Sequence, residues 1–333
     1  MLETEIKKAL MTVKPFQYLE PGELEMLMSY CKLVTFTDGQ TVFQQGKASE
    51  GMLAIISGSA LVSVKTLGEE AMHLAVLERG DFVGEINLIE KGPCTASVYA
   101  KGELVCLLVT TTYFEMLGLS FPEIKFKISR ALTETICTRL IDLHKKITDI
   151  MEKSDIATMS LFNNVLTSLI KPSKISMEDA HINLELLKTF TPFKLFTEED
   201  LTELIKHTDF ISAEKNCTLI KENEMTPCFF MVLRGAVSSN IVKDHKVAKL
   251  SILGPMAFFG SISYIDGLSS IITYRSCERV ILLRLSTENL ALLQKNNIAL
   301  WYKIYDLICD SFVILERSAD KLQIRLNSEL YNV

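Results

Sequence analysis

Five histidines are spread along the chain at His73, His144, His181, His207 and His245. No two stand at a metal-ligand spacing, and none adjoins a serine or cysteine motif. The eight cysteines (Cys31, Cys94, Cys106, Cys137, Cys217, Cys228, Cys277 and Cys309) include no Cys-x-x-Cys pair and mostly sit in apolar strand or helix patterns. That usage fits reduced, buried thiols in a cytoplasmic protein better than disulfides or a metal centre. Glu198-Glu199-Asp200 reads as the acidic first turn of a helix, favoured by its dipole, and Glu69-Glu70 reads as a solvated hairpin tip. Catalysis needs a nucleophile with a base, paired carboxylates or a ligand set. The sequence offers none of these, so it predicts a protein that is not an enzyme and requires no cofactor or metal.

The elements that hold these residues have ample material for two cores. The chain has 333 residues, 48% hydrophobic and 23% charged, which suits about two domains of ordinary size. A net charge of −6 weighs against a nucleic-acid partner, which would favour a basic stripe. The start, Met1-Leu2-Glu3-Thr4-Glu5-Ile6-Lys7-Lys8, lacks the apolar core and cleavage site of a secretory leader. No window reaches about 18 uninterrupted apolar residues, so no membrane span is expected.

An internal repeat organises the chain. Pro15-Phe16-Gln17-Tyr18-Leu19 recurs as Pro192-Phe193-Lys194-Leu195-Phe196 at an offset of 177. The same offset carries Leu24 onto Leu201, Leu27 onto Leu204, Phe36 onto Ala213 and Gly58-Ser59-Ala60 onto Gly235-Ala236-Val237. Gly39 becomes Asn216 and Gly46 becomes Asn223. Asn is among the few residues that tolerate the left-handed backbone open to glycine, so the exchange predicts the same turns in both copies. After one deletion the offset is 176, and Gly84 falls on Gly260.

Each copy opens with a short helix, near 21–31 and 198–207. β-branched strands follow, among them Met52 to Ile56, Leu104 to Val109, Phe229 to Leu233 and Val280 to Leu285. A helix closes each copy. The first starts at Ser120 and Glu123 in capping-box spacing with Pro122 in its first turn. Its apolar stripe is Ile124, Ile128, Leu132, Ile136, Leu140, Leu143, Ile147 and Ile150. Two uses of the stripe stay open: packing on its own half, or meeting a partner helix from the second half or from another chain in a homodimer through 120–151. The second closing helix runs from about Asn297 to Leu326, with Trp301, Ile304, Ile308 and Phe312 on one apolar face. The expected organisation is a first domain over 1–151, a helical connector over 152–190 and a second domain over 191–333. In the connector we expect a helix near 156–170, a breaker at Lys171-Pro172-Ser173-Lys174 and a further helix capped by Ser176 with Asp179. No helix-turn-helix signature is visible, and no DNA-binding module is expected after the second closing helix.

The run Gly84-Glu85-Ile86-Asn87-Leu88, followed by Pro93-Cys94-Thr95-Ala96-Ser97, resembles the phosphate-binding cassette of the cyclic-nucleotide-binding domain family. That family includes regulatory subunits of cyclic-AMP-dependent kinase, the catabolite activator protein and cyclic-nucleotide-gated channels. The second copy, from Gly260-Ser261-Ile262 to Ser269-Ser270-Ile271-Ile272-Thr273, resembles it more faintly. The resemblance implies an α+β fold of two β-rolls of the double-stranded jelly-roll type, each flanked by helices. It implies a candidate pocket of Gly84, Glu85, Ile86, Asn87, Cys94, Thr95 and Ser97, with cyclic AMP or cyclic GMP as ligand. It implies a degenerate second pocket of Gly260, Ser261, Ser270 and Thr273.

In the family an Arg holds the phosphate with bidentate charge-assisted bonds, and a Glu accepts from the ribose 2′-hydroxyl. Here Glu85 keeps the ribose position, while Cys94 stands at the Arg position. A thiol is a weak donor without charge. Lys91 or Lys101 could compensate only by reaching inward. In the second copy Ser261 replaces the Glu and Ser270 the Arg, and nothing assures that Arg275 points inward. A Cys94 thiol at an anion loop could instead act as a redox sensor, against the plainer reading of a small space-filling residue. The resemblance implies a regulatory protein acting on a protein effector. The alternatives are a scaffold that has lost its ligand and a regulatory subunit of a kinase or other effector.

Overall fold

Two 14-residue strands, β3 (Gly51–Val64) and β6 (Ser97–Thr110), form the spine of the first half. The computed structural model describes residues 3–65, 72–90, 92–153, 171–225, 228–244, 246–260, 262, 265, 267 and 269–331. Within it the chain divides into two compact units, Met1–Thr135 and Ile136–Val333.

In the first unit, β3 and β6 pair antiparallel along their length, with register shifts around Ser57. Their outer halves hold β1 (Lys32–Phe36) and β5 (Phe82–Val83), and their inner halves hold β2 (Thr41–Phe43) and β4 (Met72–Leu77). Bending at the shifts folds this one sheet into a roll. Strand side chains alternate between faces. Leu53, Ile55, Ala60, Val98, Ala100, Leu104, Cys106 and Leu108 therefore fill the roll. Met52, Ala54, Ile56, Leu107 and Val109 face outward, onto helices α1 (Glu3–Leu10), α2 (Pro21–Tyr30), α3 (Glu85–Glu90) and α4 (Thr111–Ser120). Thr110 caps α4 by accepting from the Tyr113 amide.

Helix α5 (Pro122–Lys153) starts with Pro122, as the sequence predicts. Ser120 does not cap it, because α4 runs through Ser120 and the break falls at Phe121. The apolar stripe is buried from Ile124 to Ile147; at its end Met151 is buried and Ile150 only half so. Ile124, Ile128 and Leu132 belong to the outer core of the first unit. From Ile136 on, the helix counts with the second.

The connector departs from a purely helical reading. Lys171-Pro172-Ser173-Lys174 is not merely a breaker, since β7 (Ser173–Ile175) forms there and pairs with β8 (Asp209–Ala213). Ser176 accepts from the Asp179 amide at 3.0 Å, but it closes a turn. The helix is α6 (Leu184–Thr189), capped by Asn183. The helical pattern at 156–170 and the Glu69-Glu70 tip lie outside the described residues.

The second unit repeats the roll in two sheets. After α7 (Glu198–Lys206) and β8 come β9 (Thr218–Ile220), β10 (Cys228–Arg234), β11 (Val237–Lys243), β12 (Lys246–Leu253), β13 (Phe258–Gly260), β14 (Thr273–Ser276) and β15 (Val280–Ser286). Their orders are β13-β10-β15-β8-β7 and β12-β11-β14-β9. Helices α8 (Thr287–Asn296) and α9 (Ile298–Tyr331) close it. Trp301, Ile304, Ile308 and Phe312 are all buried on α9, as a core stripe requires.

The repeat is visible bond by bond. Gly39 and Gly46 have φ of 74° and 79°, and Asn216 and Asn223 have 66° and 64°. Gly39 N–H donates to Ala100 O and Ala100 N–H to Gln40 O; Asn216 to Ser276 and Ser276 to Cys217 reproduce the pair. Gly80 and Ile55 exchange a similar pair through Asp81, mirrored by Met256, Val232 and Ala257. None of the eight cysteines is in a disulfide. Burial pushes the Cys31 and Cys106 thiols up to about 12, which suits inert packing.

Candidate functional site

The first cassette runs from β5 through α3 to the start of β6. Gly84 has φ +93°, and a Cβ there would lie 2.7 Å from Gly51 O and 2.8 Å from the Phe43 ring. Only glycine fits that approach. The next turn is buried: Glu85 at 5%, Ile86 at 8% and Asn87 at 5% exposure. Cys94, at 6%, faces this turn, and the Asn87 amide donates to its sulfur at 3.0 Å. Its backbone is clamped, since Gly46 N–H donates to Cys94 O and Cys94 N–H to Lys47 O. Ser97 Oγ accepts from the Gln45 amide at 3.0 Å, and Gln45 Oε1 accepts from the Lys65 amide at 2.8 Å. Thr95 is half-buried beside them.

The seven predicted residues run from Gly84 and α3 through the following loop to the first residue of β6, with Glu85, Ile86, Asn87 and Cys94 buried and Gly84, Thr95 and Ser97 half-buried. Cys94 is packed and hydrogen-bonded, an arrangement of a space-filling thiol rather than an exposed reactive one. Lys101 stands four residues along β6 from Ser97, about 13 Å on, and is exposed. Lys91 lies outside the described residues.

The second cassette keeps the clamp and loses the pocket. Asn223 N–H donates to Ser270 O and Ser270 N–H to Glu224 O, the same pair that holds Cys94. Ser270 is 2% exposed, and its hydroxyl is used locally, donating to Ile272 O at 2.8 Å and accepting from Ile272 N at 3.3 Å. Thr273 Oγ1 accepts from the Glu222 amide at 3.0 Å, as Ser97 does from Gln45. Gly260 aligns with Gly84 for a different reason. It lies in strand β13, and a Cβ would meet the Phe229 ring at 2.0 Å. Ser261 lies outside the described residues.

Three features were not read from sequence. Leu53, Val83 and Val98 of the first roll correspond to Phe230, Phe259 and Tyr274 of the second. These rings stack at 5.3 and 4.8 Å between centroids and fill the interior. Burial raises the Tyr274 phenol above its ordinary range. Arg275, next to Tyr274 on the same strand, is half-buried. The second feature is a buried carboxylate. Glu222, at the Gln45 position, accepts from the Val242 amide at 2.9 Å and from His144 Nε2 on α5 at 2.8 Å. The third is Met256, with φ +71° at the Gly80 position. The offsets of 177 and 176 would have flagged all but His144.

Among the described residues no group of three or more His, Cys, Asp or Glu could hold a metal, and no helix is long and apolar enough to cross a membrane.

The cyclic nucleotide-binding domain model matches residues 33–119 and again 210–297, together more than half of the chain. The cAMP-activated global transcriptional regulator CRP of Salmonella typhimurium is 28% identical over 115 residues, 34% of this chain and 54% of that protein. The cAMP-dependent protein kinase regulatory subunit of Blastocladiella emersonii is 34% identical over 89 residues, 26% of this chain and 22% of that one. The chain thus spans about half the length of the CRP proteins it matches. Among solved structures, the regulatory domain of Toxoplasma gondii PKA with cAMP aligns over 89% of this chain and 93% of its own, at 11% identity and TM-score 0.34. The regulatory subunit of a cAMP-independent protein kinase A from Trypanosoma cruzi bound to guanosine aligns over 89% and 86%, at 13% identity and TM-score 0.32. With the family model matched twice, on two rolls that repeat each other's cassette clamps, this chain belongs to the cyclic nucleotide-binding domain family and carries that domain in tandem.

Proposed function

We propose that this chain is a non-catalytic regulatory protein in which the first roll alone keeps a nucleotide-shaped site. That site takes cyclic AMP or cyclic GMP weakly, and the second roll takes none. The carrying observation is Cys94, buried at the position where the family holds the phosphate with Arg. An anion leaving water needs a fixed positive partner, and the thiol supplies no charge. Glu85 on its buried turn preserves the ribose side. In the second roll the aromatic stack and the locally bonded Ser270 support a packing role.

In this reading 1–151 and 191–333 are two sensor-type domains joined by 152–190, and the output is read by a protein effector. A net charge of −6 favours a protein over nucleic acid. Ligand at the first cassette shifts α5 only by its differential affinity for two arrangements. The α5 stripe is buried within the chain from Ile124 to Ile147, so the reading needs no homodimer seam there.

Titration calorimetry with cyclic AMP and cyclic GMP tests it. Cys94→Arg is expected to tighten binding roughly 10- to 150-fold, with Ser270→Arg giving no gain. Tight binding of two equivalents by the unaltered chain would overturn the reading. So would a correctly folded Cys94→Arg protein with unchanged affinity.

A further inference from the structure

The two rolls differ at one sheet edge. Strands β1 and β8 are equivalent in the repeat and pair in the same register, Lys32 with Leu108 and Asp209 with Arg284. The outer edge of β8 is completed by β7, with Ser173 against Ser212, Lys174 against Ile211 and Ile175 against Phe210. Phe210 is 5% exposed beneath it. Among the described residues no strand pairs with the outer edge of β1. There Leu33, the counterpart of Phe210, is 49% exposed, and Lys32 and Thr35 are exposed too.

Charge says what fits. Lys174 reaches diagonally to Asp209, which also takes Arg284 at 2.8 Å. Diagonal pairs of this kind contribute to strand pairing. The residue equivalent to Asp209 is Lys32, so the complementary incoming residue is an acid. The apolar residue equivalent to Ile175 would cover Leu33.

We propose that the outer edge of β1 is a docking edge for an extended segment of a partner protein. The segment adds antiparallel, as β7 does to β8, with a small polar residue against Thr35, Asp or Glu against Val34, and an apolar residue against Leu33. Backbone hydrogen bonds supply affinity, and the acid and apolar side chains supply selection. A lone lysine is also a common guard of an open edge. The guard reading predicts that no strand is accepted, and the two are separable.

The probes are a synthetic peptide with the sequence of Lys171 to Glu178 and the same peptide carrying Lys174→Glu. Each is titrated into the isotope-labelled full chain while the Leu33, Val34 and Thr35 amides are followed by NMR. The acidic peptide should move these amides saturably and bind about fivefold tighter than the basic one, the ratio expected on exchanging repulsion for attraction at an exposed cross-strand site. Lys32→Glu in the chain should invert that order, and Leu33→Asp should abolish binding of both. If neither peptide moves these amides, or both bind equally, or Lys32→Glu leaves the order unchanged, the proposal fails. A doubled mass in light scattering that Leu33→Asp abolishes would assign the edge to a second copy and overturn the partner reading.

Discussion

The two rolls share a frame and differ in what fills it. Their cross-loop backbone bonds agree, from Gly39 with Ala100 against Asn216 with Ser276 to Gly46 with Cys94 against Asn223 with Ser270. Their interiors do not. The first is lined by aliphatic residues such as Leu53 and Val98, and the second by the stack of Phe230, Phe259 and Tyr274. The frame rests on left-handed turns and obligatory backbone pairs, which tolerate little change. The filling needs only volume and apolarity, so it can drift away from ligand binding while the fold persists.

The largest test of this contrast is Tyr274→Ala. Removing a fully buried ring from a stacked core costs about 3–5 kcal/mol. Its counterpart Val98→Ala removes two methyl groups and costs about 2 kcal/mol. Trp301 is the single tryptophan and is 1% exposed in the second unit. Its fluorescence in a denaturant titration reports that unit's unfolding. If Tyr274→Ala shifts the transition by less than Val98→Ala shifts that of the first unit, the interior is not held by the stack.

Next in size is Glu222→Gln, which installs the residue of the first roll. Gln keeps an acceptor for the Val242 amide, as Gln45 does for Lys65. It loses the charged bond to His144, so the expected cost is about 1–2 kcal/mol by the same fluorescence. The reverse swap, Gln45→Glu, meets no such histidine among the described residues and should not stabilise the first unit. A cost near zero for Glu222→Gln would mean that the α5 contact is incidental.

Much of the frame was legible in sequence because turns and apolar alternation are local signals. Asn216 and Asn223 were readable as left-handed, since they replace glycines. Trp301 was readable as core from its helical stripe. What escaped depends on partners distant in sequence. Ser173-Lys174-Ile175 becomes a strand because β8 offers an edge, while Pro172 and its polar neighbours locally look like a breaker. His144 sits beside the apolar stripe, and periodicity cannot show that its partner is 78 residues away. Gly260 was aligned correctly, but only packing reveals that it makes room for Phe229 instead of turning the chain. Of the first pocket, the membership was legible and the Asn87 bond to Cys94 was not.

A smaller effect separates the covered edge from the open one. Burial alone would raise the Asp209 pKa, but hydrogen bonds from Lys174 and Arg284 overcome this and hold the carboxyl below its ordinary value. A depressed folded pKa gives stability that is present above the unfolded value, near 3.9, and is lost as pH falls through the folded one. Asp209→Asn should therefore cost about 1 kcal/mol at neutral pH. Below the folded pKa the two proteins should converge. Amide exchange of Ile211 and Ser212 reads the loosening of β7. Equal protection of the two proteins at neutral pH would show that backbone pairing alone holds this edge.

The smallest expected effect concerns the turn where the copies differ most in backbone comfort. Gly80 and Met256 occupy the same place, each donating its N–H across to the roll, to Ile55 and Val232. The φ angles are +94° and +71°. A side chain in this region costs about 1–2 kcal/mol, while glycine makes the unfolded chain freer by about 0.5–1 kcal/mol. The difference favours Met256→Gly by roughly 0.5–1 kcal/mol, seen as a later fluorescence transition of the second unit. Gly80→Met should lower the first unit by a similar amount. Met256 is 39% exposed, so its replacement also forfeits part of the side chain's apolar burial, which keeps the net gain small. If Met256→Gly destabilises instead, the methionine side chain must contribute packing that outweighs the strain, and the turn would belong to the filling of the second roll and no longer to the frame the two rolls share.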